Sequence, residues 1–216
     1  MKKILILFMC ALIATSCDRE LESEGIAAGT IAFPSVLVLG PSQITIVAGE
    51  SFDDPGAQAF LGTDEISEQL VVTSDVDVNV PGVYSIVYSV STVNELGDES
   101  SSSGSRTILV TSEDISAIDL SGNYLRNGDP SNPVVTATKL GTGTYSFPNL
   151  FGSGTVVSGF TWYHTGGTNI EAPIQNSQFG RLFAYGSLTS DGFEYSIEFL
   201  DPPNDGLILS RTFVKQ

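Results

Sequence analysis

The only histidine of the 216-residue chain, His164, lies in the segment GFTWYHTGG (residues 159–167) beside the only tryptophan, Trp162, and Tyr163. Aromatic faces stack on sugar rings, and a mouth of Tyr, Trp and His between glycines suits a saccharide ligand. Tyr185, in RLFAYGS, adds a further ring. Trp162, Tyr163, His164 and Tyr185 are therefore the candidate ligand contacts. A packing reading competes with this one. Strand alternation puts Phe160, Trp162 and His164 on one face and Thr161 and Tyr163 on the other, so one set has to fill the core. Tyr185 shares its face with Phe183 and meets the same competition.

No residue set in the chain signals catalysis. There is no G-x-S-x-G elbow, no phosphate-cradling loop and no His or Cys cluster of zinc-ligand spacing. Paired carboxylates could still cleave a glycosidic bond if held at the right separation. Glu171, Asp191, Glu194, Glu198, Asp201 and Asp205 are available, but solvated strand faces account for Glu194 and Glu198. Asp53-Asp54-Pro55-Gly56, with Asp64, Glu65, Asp75 and Asp77, raises a calcium reading. These carboxylates follow no EF-hand spacing, and Asp-Pro-Gly is turn chemistry by itself. The sequence therefore calls for no metal and no cofactor.

The remaining chemistry is at Cys17. MKK followed by the apolar run Ile4 to Ile13 and the small residues Ala14, Thr15 and Ser16 has the layout of a secretory signal peptide, too short to span a bilayer. Two processing readings compete. Ser16-Cys17 resembles a bacterial lipobox, although Ala14 stands where a branched apolar residue is usual. Alternatively, Ala14-x-Ser16 is an ordinary cleavage site that leaves Cys17 as a free thiol. Cysteine counting favours lipidation. Cys10 leaves with the leader, and a modified Cys17 leaves no thiol in an oxidising compartment. Asp18, Glu20, Glu22 and Glu24 then read as an acidic tether and resemble the export signal of surface-displayed lipoproteins in the Bacteroidota. The expected location is the outer membrane, with the chain lipid-anchored and facing the cell surface.

The formal charge of −16 becomes −18 once Lys2 and Lys3 depart. Such a surface repels phosphate backbones and argues against nucleic acid. Residues 33–112 hold eleven acidic residues and one basic one, Arg106, whereas residues 113–216 hold ten and five. That shift supports a boundary near residue 113. The expected organisation is a signal peptide over 1–16, a tether over 17–32 and two all-β domains over 33–112 and 113–216.

Alternating runs broken by Gly, Pro, Asn and Asp clusters specify the strands. In VPGVYSIVYSV, Tyr84, Ile86, Tyr88 and Val90 share a face. RTILVT turns Ile108 and Val110 inward, and only DEISEQL (64–70) could make a helical turn. The segments ITIVAGESFDDPGAQA, DEIS, SDVDVNVPGVYSIVYSV and SRTILVT resemble, in that order, an immunoglobulin-like module of bacterial surface proteins that is also appended to an insecticidal crystal toxin. The departure is NELGDESSSSGS (94–105), which reads as a flexible serine-rich loop. The resemblance implies a sandwich that acts as a spacer or adhesion module.

In the second domain the strands expected are GNYLRNG, NPVVTATKLGTGTYSFPNLFG, TVVSGFTWYHTG, FGRLFAYGSLTS, GFEYSIEFLD and GLILSRTFVKQ, with Tyr195, Ile197 and Phe199 on one face. They suggest a meandering antiparallel barrel or a sandwich. LSGNYLRNG, GTGTYSFPNLFG and AYGSLTSDGFEYSIEFLD resemble the C-terminal domains of uncharacterised Bacteroidota lipoproteins, which implies a small lipocalin-like barrel and no assigned activity. The expected function is non-catalytic binding of poly- or oligosaccharide at the cell surface. The competing classes are a structural or assembly lipoprotein that holds an outer-membrane protein partner, and a glycan-degrading enzyme.

Overall fold

Residues 32–94, 97–157 and 159–216 are described by the structure, a computed structural model. The leader, Cys17 and the acidic tether lie outside the described residues.

The N-terminal part holds strands β1 (Pro34–Val38), β2 (Gln43–Val47), β3 (Ala57–Leu61), β4 (Asp64–Glu65), β5 (Val71–Ser74), β6 (Gly82–Val93) and β7 (Glu99–Thr111). A sheet ordered β1-β3-β4 faces another ordered β2-β7-β6-β5, with β2 parallel to β7. The period-two pattern dictates what lies between them. Ile86, Tyr88, Ile108, Val110 and Ile46 are buried there, with Val36, Val38 and Tyr84 packed against them. Within DEISEQL the helical turn is a three-residue 3-10 turn, Ser67–Gln69.

The serine-rich stretch is not a loop. Residues Glu99–Ser105 pair with Val87–Val93, so β6 and β7 form one long hairpin. Small alternating side chains let β1 lie close over it. A Cβ on Gly104 would stand 2.7 Å from Val38 Cγ2.

Arg106, at 0 % exposure, crosses the sandwich interior. Its Nε donates to Asp54 Oδ1 at 3.0 Å and its Nη atoms donate to the carbonyls of Pro41, Leu39 and Gly56. Tyr88 donates its hydroxyl to the same carboxylate at 2.7 Å, and the Gly56 N–H donates to Asp54 Oδ1. Asp54 therefore closes its own turn and neutralises the one buried cation among the described residues. Partial burial would raise the Asp54 carboxyl, but these hydrogen bonds and the Arg106 charge outweigh it and hold the group below the usual carboxylate range.

The C-terminal part is a closed antiparallel barrel of eight strands. They are β8 (Gly122–Arg126), β9 (Val135–Gly141), β10 (Thr144–Ser146), β11 (Thr161–Gly166), β12 (Asn169–Ser177), β13 (Gly180–Leu188), β14 (Gly192–Phe199) and β15 (Ile208–Lys215). Each strand pairs with the next, and β15 closes on β8. Strand β12 is absent from the sequence expectation because NIEAPIQNS is polar and carries Pro173. Proline is tolerated in a strand at a bulge, and the β12–β13 register shifts between Ala172 and Gln175.

Eight strands leave an interior just wide enough for side chains. Here aromatic rings fill it. Phe147 meets Phe193 and Phe213 edge-on with centroids at 5.1 and 5.0 Å, and Trp162 lies 4.5 Å from Tyr195. Tyr195, Ile197 and Phe199 point inward as the alternation requires. The Tyr195 hydroxyl donates to the Leu150 carbonyl, which draws the long β10–β11 connection across the barrel end.

Phe33–Gln216 clusters as one compact unit. The outer face of β2 and β7 carries Leu109, fully buried although it points away from the sandwich core. Against it lies the β9–β10 turn, in which Gly143 has φ +70° and no room for a side chain. An added Cβ would come within 2.6 Å of Ile115 Cδ1 and 2.8 Å of Leu109 Cδ2. Ser112 N–H donates to Thr165 O at 2.8 Å, Gly167 N–H to Glu113 Oε1 at 2.9 Å, and Thr144 Oγ1 to Gln43 Oε1 at 2.7 Å.

Two outcomes follow for stability. Arg106→Met takes the donor from the carbonyls of Leu39, Pro41 and Gly56 and the cation from Asp54, and is expected to cost about 2–3 kcal/mol in denaturant unfolding. Because the folded Asp54 carboxyl is lowered, its stabilisation is present above the unfolded value of about 3.9 and is lost as pH falls through the folded one. Asp54→Asn should therefore flatten the acid limb of a melting-temperature profile. Gly143→Ala combines a left-handed backbone penalty of about 1–2 kcal/mol with an overpacked junction. The same unfolding measurement should show a loss of at least about 2 kcal/mol.

Candidate functional site

The four aromatic and imidazole candidates occupy three environments. Trp162 is 5 % exposed and His164 0 %, both on the inward face of β11, where alternation places them with Phe160. His164 Nε2 is 3.0 Å from the Gly167 carbonyl, so Nε2 carries the donated proton, and Nδ1 has no protein partner. Trp162 Nε1 is likewise unpartnered. Both border an apolar cavity of about 30 Å³ that also touches Tyr145, Phe147 and Phe193. That space holds one water-sized group and no sugar ring. The interior rings thus serve packing, and Trp162 and His164 are out of reach of a surface ligand.

Tyr163 points outward, into the junction. Burial raises its hydroxyl, and the neighbouring Thr107 side chain on β7 pulls the other way. Tyr163 borders an open groove of about 780 Å³ between the barrel and the sandwich. Its walls carry no charge and are mostly hydroxyls and amide, among them Gln43, Thr45, Thr107, Thr142 and Thr161.

Tyr185 alone of the four is broadly accessible, at 47 % exposure on the outer wall of β13. Its ring lies 5.8 Å from Phe183. Strand register surrounds it with polar groups. Tyr163, Glu171, Tyr185, Ser196 and Ser210 are successive partners across β11 to β15, so they form one outward row. Asn169, Ser187, Glu194 and Thr212 form the next row by the same pairing. From Glu171 onward these two rows are the floor of a second open groove, about 700 Å³, bounded on the sandwich side by Pro81.

Glu171 is the unusual member. Burial between the sandwich and the barrel pushes its carboxyl above the ordinary value, against a smaller opposing pull from the Val83 backbone. Its Oε1 is shielded from solvent and has no protein donor. Glu194 stands two strands and one register step away, about 12 Å between Cα atoms by strand geometry. Asp201 is held by Arg181 at 2.8 Å, which lowers its carboxyl through hydrogen bonds and charge. Among the described residues no group of three or more His, Cys, Asp or Glu side chains is placed to hold a metal.

The groove can stack one ring on Tyr185 and hydrogen-bond hydroxyls through Asn169, Ser187, Ser196 and Glu194. Reading the chain strand by strand finds Tyr185 and Glu194 but not their partnership. The outward alternation is legible, whereas the register that aligns β12 to β15 is not.

No curated protein sequence resembles the chain closely enough to count as a match. Among solved structures, a lipoprotein of Bacteroides thetaiotaomicron is similar at 20 % identity, with 85 % of this chain and 100 % of that one covered and a TM-score of 0.35. Two Clostridium perfringens ZmpB structures are similar with TM-scores of 0.29. One contains its CBM51-2 module with GlcNAc and INT domains (18 % identity, 73 % of this chain and 30 % of that one). The other contains the M60 catalytic domain with CBM51-1 and CBM51-2 (17 % identity, 84 % and 20 %). Residues 37–110, the sandwich from β1 to β7, match the family model described as the bacterial surface protein Ig-like domain.

Proposed function

We propose that the chain is a non-catalytic lipoprotein, anchored in the outer membrane through Cys17, that binds poly- or oligosaccharide at the cell surface. The Ig-like sandwich is the support, and the outer wall of the barrel around Tyr185 is the binding face. The observation that carries this reading is an exposed aromatic ring set in a groove of hydroxyl, amide and carboxylate groups. Such a surface offers a stacking platform and directional hydrogen bonds together. Catalysis is disfavoured by the burial of Glu171, whose Oε1 is sealed from solvent and has no protein donor.

A protein partner is the second reading, favoured by apolar exposure. In an up-and-down barrel alternate turns lie at opposite ends. The β9–β10 and β11–β12 turns meet the sandwich, so the connections at 127–134, 147–160, 178–179 and 200–207 share the far end. Val134, Val156, Phe179 and Leu207 are exposed there, at 52, 55, 37 and 43 %.

A calorimetric and thermal-shift screen of the intact chain against soluble polysaccharides and oligosaccharides tests the saccharide reading. Tyr185→Ala should weaken any hit by about tenfold, the worth of one aromatic contact, while Trp162→Phe should lower the melting temperature and leave affinity unchanged. Unchanged affinity in Tyr185→Ala would remove the groove from the mechanism, and a silent screen would transfer the case to a protein partner at the far end. For the anchor, Cys17→Ser should release the chain from the membrane fraction and abolish radiolabelled fatty-acid incorporation. Retention of label would exclude Cys17 as the lipid site.

A further inference from the structure

The described residues contain four arginines, and two of them are ion-paired, Arg106 with Asp54 and Arg181 with Asp201. The other two, Arg126 and Arg211, have no carboxylate within ion-pair distance and lie together. In a chain with 25 acidic residues and nine lysines and arginines, two adjacent unneutralised guanidiniums run against the composition.

Topology brings them together. The β8–β15 ladder begins at Tyr124 with Lys215 and ends at Arg126 with Phe213, so residues 208–212 of β15 extend past the end of β8. The β10–β11 connection fills that opening with the Phe151 carbonyl. Both cations donate to that single oxygen, Arg126 Nη1 at 3.4 Å and Arg211 Nε at 3.2 Å. Arg126 Nη2 also donates to Asn132 Oδ1 at 2.7 Å, and Arg211 Nη1 to the Ser210 carbonyl at 2.8 Å. A guanidinium has five N–H donors in a fixed plane. These bonds orient both forks and leave Arg126 Nε and Arg211 Nη2 without a protein acceptor. Asp129 acts on Arg126 only at longer range.

The two arginines, with Asn127, Ser210 and Thr212, line a pocket of about 290 Å³. Ser210, Arg211 and Thr212 border the Tyr185 groove as well, so the two spaces meet along β15, with the Arg211 side chain, opposite Tyr195, leaving the inner face at the barrel end. Preoriented guanidinium forks suit planar or tetrahedral oxyanions, which they grip through paired N–H···O bonds.

We infer that Arg126 and Arg211 form a subsite for the carboxylate or sulfate group of an acidic saccharide whose neighbouring ring lies along the groove at Tyr185. This rests on the saccharide reading of that groove and gives its ligand a charge. Glu194, the cross-strand partner of Thr212, stands on the outer face beside Ser187 and faces the sugar hydroxyls.

The test is calorimetry on the intact chain at constant ionic strength, with three probes of matched length. These are a uronic-acid trisaccharide, a sulfated galactose oligosaccharide without carboxylates, and an uncharged galactose oligosaccharide. At least one charged probe should bind tenfold or more tighter than the uncharged one, and which of the two does so identifies the anion. That preference should vanish in the Arg126→Gln/Arg211→Gln double variant, with Tyr185-dependent binding of the uncharged probe retained. Equal affinity for all three probes would overturn the subsite, as would a preference that survives in the double variant. If the double variant fails to fold, the wild-type chain decides. Sodium sulfate or sodium acetate should shift the NMR signals of the Arg126 and Arg211 Nε–H groups, and signals unmoved by both refute the site. Loss of uncharged-probe binding alone counts against the groove and not against the arginine pair.

Discussion

The closed interior of the barrel is the constraint from which the outer surface follows. Eight strands enclose space for one layer of side chains, and Phe147, Trp162, Phe193, Tyr195 and Phe213 occupy it ring against ring. Once those rings are inside, every second residue of β11 to β15 is forced outward. Tyr163, Glu171, Tyr185, Ser196 and Ser210 share a row for that reason alone. A register slip of one residue would bring the charged and hydroxyl row inside and set the rings in water, so the pattern that stabilises the core also fixes the groove.

The junction supplies the second boundary. A spacer joined by a flexible link would leave the outer face of its sheet wet. Here Leu109 is buried on that face, Gly143 gives the barrel turn its close approach, and backbone and side-chain hydrogen bonds run from Gln43, Ser112 and Glu113 to the barrel. The sheet therefore forms one wall of the Tyr163 groove, and the turn before β6 bounds the Tyr185 groove at Pro81. Glu171 shows the consequence. On an isolated barrel it would be an ordinary surface carboxylate, whereas beside Val83 it is desolvated and its Oε1 is sealed.

Much of the fold was legible in the sequence because alternation is local. Tyr84, Ile86, Tyr88 and Val90 announce one buried face, and Tyr195, Ile197 and Phe199 another. The exceptions have physical causes. Pro173 hid β12 because a proline argues against a strand until a bulge accommodates it. The serines of 100–105 read as linker because small polar residues say nothing of the β1 strand that packs over Gly104. The candidate site was less legible. Alternation already placed Trp162 and His164 on one face, but only barrel closure decides that this face is interior. Arg126 and Arg211 are 85 residues apart, and no local pattern links them. Their meeting depends on where the β8–β15 ladder ends.

An acidic ligand on an acidic chain is electrostatically consistent, because the two effects act over different distances. The net charge of −16 generates a field that salt screens within about 8–10 Å. A guanidinium fork acts at hydrogen-bond distance, where screening is weak. The surrounding carboxylates slow the approach of an anion, while the local contacts decide whether it stays. The same acidic surface disfavours polyanions that must lie along it, since each further charge meets an unmatched carboxylate. Selection by charge position, and not by total charge, is what a lone pair of arginines in an acidic wall can provide.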